Sequence, residues 1–88
     1  MPYIKQEKRK EIDKFLDPLI EHLKKQPVGE QDGDLNYAIT KMVKRLYPRH
    51  YLDLNRALGV LSAVSQEFYR RVVGPHEDVK IKENGDVE

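Results

Sequence analysis

Between Leu54 and Val72 an apolar side chain recurs every three or four residues. Leu54, Ala57, Leu58, Leu61, Val64, Phe68 and Val72 fall within roughly 120° of arc at 100° per residue. That spacing predicts a helix from about Leu52 to Val73, with one face given to packing. Gly74 and Pro75 are expected to stop it. Gly59, Ser62 and Ala63 lie beside the stripe. A glycine inside a helix costs about 1 kcal/mol against alanine. Close approach of another helix, within the chain or from a second copy, is the compensation these small residues suggest. A homodimer is therefore one expectation.

Two more stripes precede it. Ile12, Phe15, Leu16, Leu19, Ile20 and Leu23 keep 3/4 spacing through a segment from about Lys5 to Gln26. Pro18 lies inside this segment, where a proline removes a hydrogen bond and crowds the preceding turn. The stripe holds its phase across Pro18, which favours one kinked helix over two short ones. Gln26 to Gly33 reads as a loop, because Pro27, Gly29, Asp32 and Gly33 are all turn formers. A second helix is expected from an N-cap at Asp34 to about Tyr47. Its apolar face is Leu35, Ala38, Ile39, Met42, Val43 and Leu46, and Pro48 ends it. Beyond Gly74 the sequence suggests one short helix, from Pro75 to Asn84, closed by Asn84-Gly85.

These segments predict an all-α fold: a three-helix bundle around one core, with a short C-terminal helix or arm. The 88 residues suit a single helical domain, residues 1–88. There are no cysteines. Disulfides, thiol nucleophiles and cysteine-ligated zinc are thereby excluded, and the cytoplasm is the expected compartment. No apolar run approaches the length needed to cross a bilayer. The N-terminus leads into charges without an apolar signal region, so no membrane partner is expected.

Few patterns carry chemistry. Asp32, Asp34 and Asn36 open like a calcium-binding loop. That loop requires glycine at its sixth position and glutamate at its twelfth, and Tyr37 and Val43 stand there instead. The histidines, His22, His50 and His76, show no i, i+4 pair for a metal. Ser62 and Ser65 fall within a helix, where no nucleophile elbow forms. Asp53 and Glu67 are fourteen residues apart on one helix, about 21 Å, which is too far for an acid/base pair. No cofactor, metal or catalytic residue is expected, and the chain reads as non-enzymatic. An enzyme with dispersed residues is the weakest of three readings.

Charge supplies the best functional clue. The chain carries only +1 net, yet the balance is uneven along it. Residues 41–56 hold Lys41, Lys44, Arg45, Arg49 and Arg56 against Asp53 alone, a local +4. Residues 75–88 hold five acidic and two basic residues, a local −3. Tyr37, Lys41 and Lys44 share the helix face opposite the apolar one, and Arg49 extends it into the following turn. Basic residues with an interleaved tyrosine can neutralise phosphates and stack on bases. Tyr37, Lys41, Lys44, Arg45 and Arg49 are the candidate polyanion- or partner-binding residues. A helix-turn-helix reader of DNA is disfavoured. Its second helix needs a polar face for the major groove, and the third helix offers there only Arg56, Glu67 and Arg70.

Several runs look familiar as a set: Met1-Pro2-Tyr3-Ile4, Asp17-Pro18-Leu19-Ile20 and Gly33-Asp34-Leu35-Asn36-Tyr37-Ala38-Ile39-Thr40. Gly59-Val60-Leu61, Glu67-Phe68-Tyr69-Arg70-Arg71-Val72 and Ile81-Lys82-Glu83-Asn84-Gly85-Asp86-Val87 join them. Together they resemble a family of small uncharacterised prokaryotic and phage-associated proteins. The family has no assigned activity, so the resemblance implies an accessory protein and no catalytic residues. The leading expectation is a module that binds another protein. The alternative is a nucleic-acid binder using the basic face.

Overall fold

A computed structural model describes residues 1–88. The fold is all-α, with no strand. Helix α1 spans Gln6–Lys24 and α2 spans Val28–Leu46. Helix α3, Tyr51–Phe68, passes through a π-helical turn, Tyr69–Val73, into α4, Gly74–Asn84. The last three pieces make one rod of about 51 Å at 1.5 Å per residue.

Pro18 sits inside α1, which runs through it unbroken, as the continuous stripe suggests. The loop expected over Gln26–Gly33 is not there. The link is only residues 25–27, and Gly29 and Gly33 are helical. Asp34 is consequently an interior residue of α2 and not its N-cap. Two interactions outweigh the turn-forming residues. Pro27 holds φ −54° at the entry to α2, and its carbonyl accepts the Glu30 N–H at 2.9 Å. The Gln31 amide then reaches back to donate to the carbonyls of Leu23 and Gln26 at 3.3 Å. One side chain thus satisfies the orphan end of α1 and ties it to α2.

Helix α2 ends as expected. Tyr47 is extended, at φ −109° and ψ 126°, because the ring of Pro48 excludes the α region from the residue before it.

Gly74-Pro75 does not stop the third helix. The π turn explains why. An ordinary helix would need the missing N–H of Pro75 and would push its ring into the carbonyl four residues back. Here the Gly74 N–H donates to the Tyr69 carbonyl five residues back, which widens the coil by one residue at this point. Glycine eases the close approach here, since a Cβ on Gly74 would lie 3.2 Å from the Tyr69 carbonyl oxygen. The Tyr69 hydroxyl donates to the Glu77 carboxylate across the turn. At the far end Gly85 has φ 87° and ψ 154°, a region essentially open to glycine alone, and the rod stops at Asn84.

The three rods do not enclose the single core expected. Ala57 is the one buried residue, 5% exposed. The radius of gyration is 16.7 Å, against about 12 Å for a compact 88-residue chain. The accessible surface is 8221 Å², against about 5,400 Å² for a folded monomer of this mass. An excess of about 2,800 Å² therefore faces water. Much of it is apolar: Phe15, Leu46, Leu58, Val64 and Phe68 are all exposed. Gly59 has nothing within 4 Å of a Cβ built on it, so no helix of the same chain uses it for close approach. No helix is long and apolar enough to cross a membrane.

Candidate polyanion- or partner-binding surface

The amphipathic register of α2 sets this surface. Ala38, Met42 and Leu46 turn to the groove beside α1, Ile39 and Val43 to Leu61 of α3, and Tyr37, Lys41 and Lys44 run in line next to them. Arg45 lies next to them. The Pro48 turn brings Arg49 alongside. All five line one open concavity of about 950 Å³. Asp32, expected in a loop, stands on α2 at its end and is the acidic residue on its wall.

Within it the Lys41 ammonium donates to the Tyr37 hydroxyl at 3.3 Å and stands 5.6 Å from the centre of its ring. A cation at that distance is attracted by the ring face. Lys44, Arg45 and Arg49 form no ion pair with any carboxylate of the chain. Their charges are free to meet an anionic ligand. Arg56, the fifth basic residue of the positive segment, is drawn off elsewhere. It donates to Asp53 at 2.6 Å and lies 5.4 Å from the Tyr47 ring centre.

A second concavity, about 820 Å³, runs between α1 and α2. Leu19, Leu23, Ala38, Met42 and Leu46 give it an apolar lining, and Tyr37, Lys41 and Arg45 stand on its border. The basic surface and the apolar groove therefore meet along one edge of α2. His22 faces this groove. His50 occupies the N-cap position of α3 and His76 the first turn of α4. No three histidine, aspartate or glutamate side chains gather as a metal site would need.

A family model matches residues 1–87, described as a domain of unknown function, DUF6899. The chain belongs to that family. No curated protein and no solved structure matches it. Membership in DUF6899 brings no assigned activity, so the functional reading rests on the side chains.

One cluster was only partly legible in the sequence. The N-terminal arm lies along α3, and the Tyr3 hydroxyl donates to the Glu67 carboxylate. Arg70 donates to both oxygens of Glu67 at 3.0 and 3.2 Å. The spacing of Glu67 and Arg70 makes that pair legible. Tyr3, sixty-four residues away, could not be placed from spacing. The hydrogen bond from Tyr3, with Arg70 beside it, holds the Glu67 carboxyl below its ordinary value. The same bond raises the phenol of Tyr3. The Glu77 carboxylate raises that of Tyr69 in the same way.

Proposed function

We propose that this chain is a non-enzymatic interaction module that binds a protein partner through its uncovered apolar helix faces. The observation that carries this reading is the excess of about 2,800 Å² of accessible surface over a compact monomer. Phe15, Leu46, Leu58, Val64 and Phe68 contribute to it, and exposed apolar patches are the usual mark of an unfilled interface. The DUF6899 match supports an uncharacterised role. The sequence resemblance adds an accessory protein of prokaryotic or phage origin, and the cysteine-free composition suits the cytoplasm.

Affinity capture with tagged protein tests the reading. Some polypeptide, untagged copies of the chain included, is retained by the wild type and released by Phe68→Glu. Retention that ignores Phe68→Glu overturns it.

A second reading has its own support in the concavity lined by Tyr37, Lys41, Lys44, Arg45 and Arg49. Three unpaired cations there suit a polyanion. Fluorescence anisotropy with labelled single- and double-stranded oligonucleotides at low salt tests it. Lys41→Gln, Lys44→Gln and Arg49→Gln together flatten the salt dependence by about 0.7–0.9 per lost phosphate contact. No binding at high micromolar protein retires this reading and leaves the first one standing.

A further inference from the structure

We propose that the groove between α1 and α2 docks an amphipathic helix of a protein partner, apolar on the face it buries and acidic at the end that meets Lys41 and Arg45. The proposal rests on the protein-binding reading above and names the chemistry of the partner.

The floor of the groove is already built. Leu19, Leu23 and Ala38 line it half-buried, where the short link sets α1 beside α2. On α2 the lining continues to Met42 and Leu46, which are 45% and 74% exposed. Leu46 lies eight residues beyond Ala38, about 12 Å along the helix. On α1 the lining goes no further than Leu19. The far end of the groove therefore takes its apolar side chains from α2 and leaves them uncovered.

Length bounds the occupant. The α2 lining runs from Glu30 to Leu46, about 24 Å at 1.5 Å per residue. A helix of some sixteen residues spans that distance. Apolar anchors at i, i+4, i+7 and i+11 fall within it, the usual pattern for a helix laid in a groove.

Charge selects its chemistry. Glu30 and Asp34 border one end of the groove, and Lys41 and Arg45 border the other. Lys44 and Arg49 carry the cationic end into the adjoining concavity. None of these four cations has a carboxylate partner within the chain. A ligand that covers Met42 and Leu46 and also meets the cations must hold aliphatic groups and anions side by side. An acidic amphipathic helix does so, with carboxylates flanking its apolar stripe. A phosphate backbone brings the anions but no aliphatic face. Glu30 and Asp34 repel carboxylates at the other end, so the acidic residues of the occupant gather in one half.

A displayed library of sixteen-residue peptides, selected on the immobilised full chain, tests this. The enriched sequences carry apolar residues at 3/4 spacing, with Asp and Glu concentrated in one half. Anisotropy with a fluorescein-labelled consensus peptide then reads affinity. Leu46→Glu weakens it at least about 10-fold, and so does Lys41→Glu combined with Arg45→Glu. All three positions are exposed. A peptide with its glutamates changed to lysine regains affinity for the charge-reversed chain, which only a folded groove permits. A consensus without an acidic half overturns the proposal, and so does binding that ignores Leu46→Glu. A peptide released by Phe68→Glu alone moves the partner to α3: the protein-binding reading stands and this site falls. With no enriched peptide, binding of an oligonucleotide or of phosphatidylglycerol vesicles through Lys41 and Arg45 hands the surface to that ligand. No enrichment at all removes the proposal, and the affinity capture above then decides the protein-binding reading on its own.

Discussion

The α1–α2 hairpin and the long rod Tyr51–Asn84 carry apolar stripes of the same spacing, but only the hairpin has a neighbour for its stripe. A link of residues 25–27 forces α1 and α2 side by side, so Leu19, Leu23 and Ala38 are half-buried against each other. On the rod only Ala57 is buried, while Leu58, Val64 and Phe68 stay bare. Connection length makes the difference. A tight turn supplies a partner at no further entropic cost, whereas a rod of about 51 Å outruns anything two shorter helices can cover.

The largest expected effect lies on the rod. Where a protein partner covers this face, Leu61→Ala costs about 2–5 kcal/mol, the lost transfer energy plus the cavity left behind. With no partner bound the loss shrinks, because Leu61 is already 37% exposed. Urea unfolding with and without the captured partner reads this directly. A loss under about 0.5 kcal/mol in both, the level of an ordinary surface change, would erase the distinction between the two regions.

The two internal prolines sharpen it. Pro18 lies in plain α-helix, and Pro75 follows a π turn that accommodates it. Relief of a proline inside an α-helix is worth up to about 3 kcal/mol. Pro18→Ala should therefore stabilise the chain, and Pro75→Ala should do so by less. Thermal unfolding ranks the two. Amide exchange at residues 69–73 should also slow in Pro75→Ala as the π turn relaxes to α. Equal gains would mean the π turn relieves nothing.

Within the hairpin, Gln31→Ala removes the amide that caps α1. A net loss of about 0.5–1.5 kcal/mol is expected for hydrogen bonds of this kind. Chemical denaturation checks it. No loss would show that Pro27 alone holds the turn.

Much of this architecture was legible in the residues. Periodicity identified all three rods, Pro48 the end of α2, and Asn84-Gly85 the end of the last helix. Tyr37, Lys41, Lys44, Arg45 and Arg49 were grouped by helical phase and charge, and they do line one concavity. What misled was local turn chemistry read without its competitors. Gly29, Asp32 and Gly33 favour a loop only if nothing satisfies the carbonyls of α1. Gln31 does satisfy them, and it does so from eight residues away. Gly74-Pro75 breaks a helix only if the coil cannot widen, and here it widens. The expectation of one core failed for another reason. An apolar stripe specifies that a face is to be covered, and says nothing about whether the same chain covers it.

The smallest effect concerns the N-terminal arm, the one piece of chain that crosses the rod at Glu67. Its attachment needs Glu67 ionised and Tyr3 protonated, since the phenol donates and the carboxylate accepts. The Glu67 carboxyl is held below its ordinary value of 4.5 by the bond from Tyr3 and by Arg70. A lowered carboxyl contributes above its unfolded value, and its contribution is lost as pH falls through the folded one. The Tyr3 phenol is raised above its ordinary 10.0 by Glu67. A raised group contributes below its unfolded value, and its contribution is lost as pH climbs through the folded one. The arm is therefore docked across the neutral range and released at both extremes, below pH 4.5 and above pH 10.0. Both groups face water, so screening keeps the effect small. NMR titration of the Tyr3 ring should show two transitions; in Glu67→Gln the acid one disappears and the alkaline one, the phenol's own ionisation, moves back down toward its ordinary value. A Tyr3 ring that keeps its docked shift at low pH would show that the arm is held by apolar contact with α3 alone.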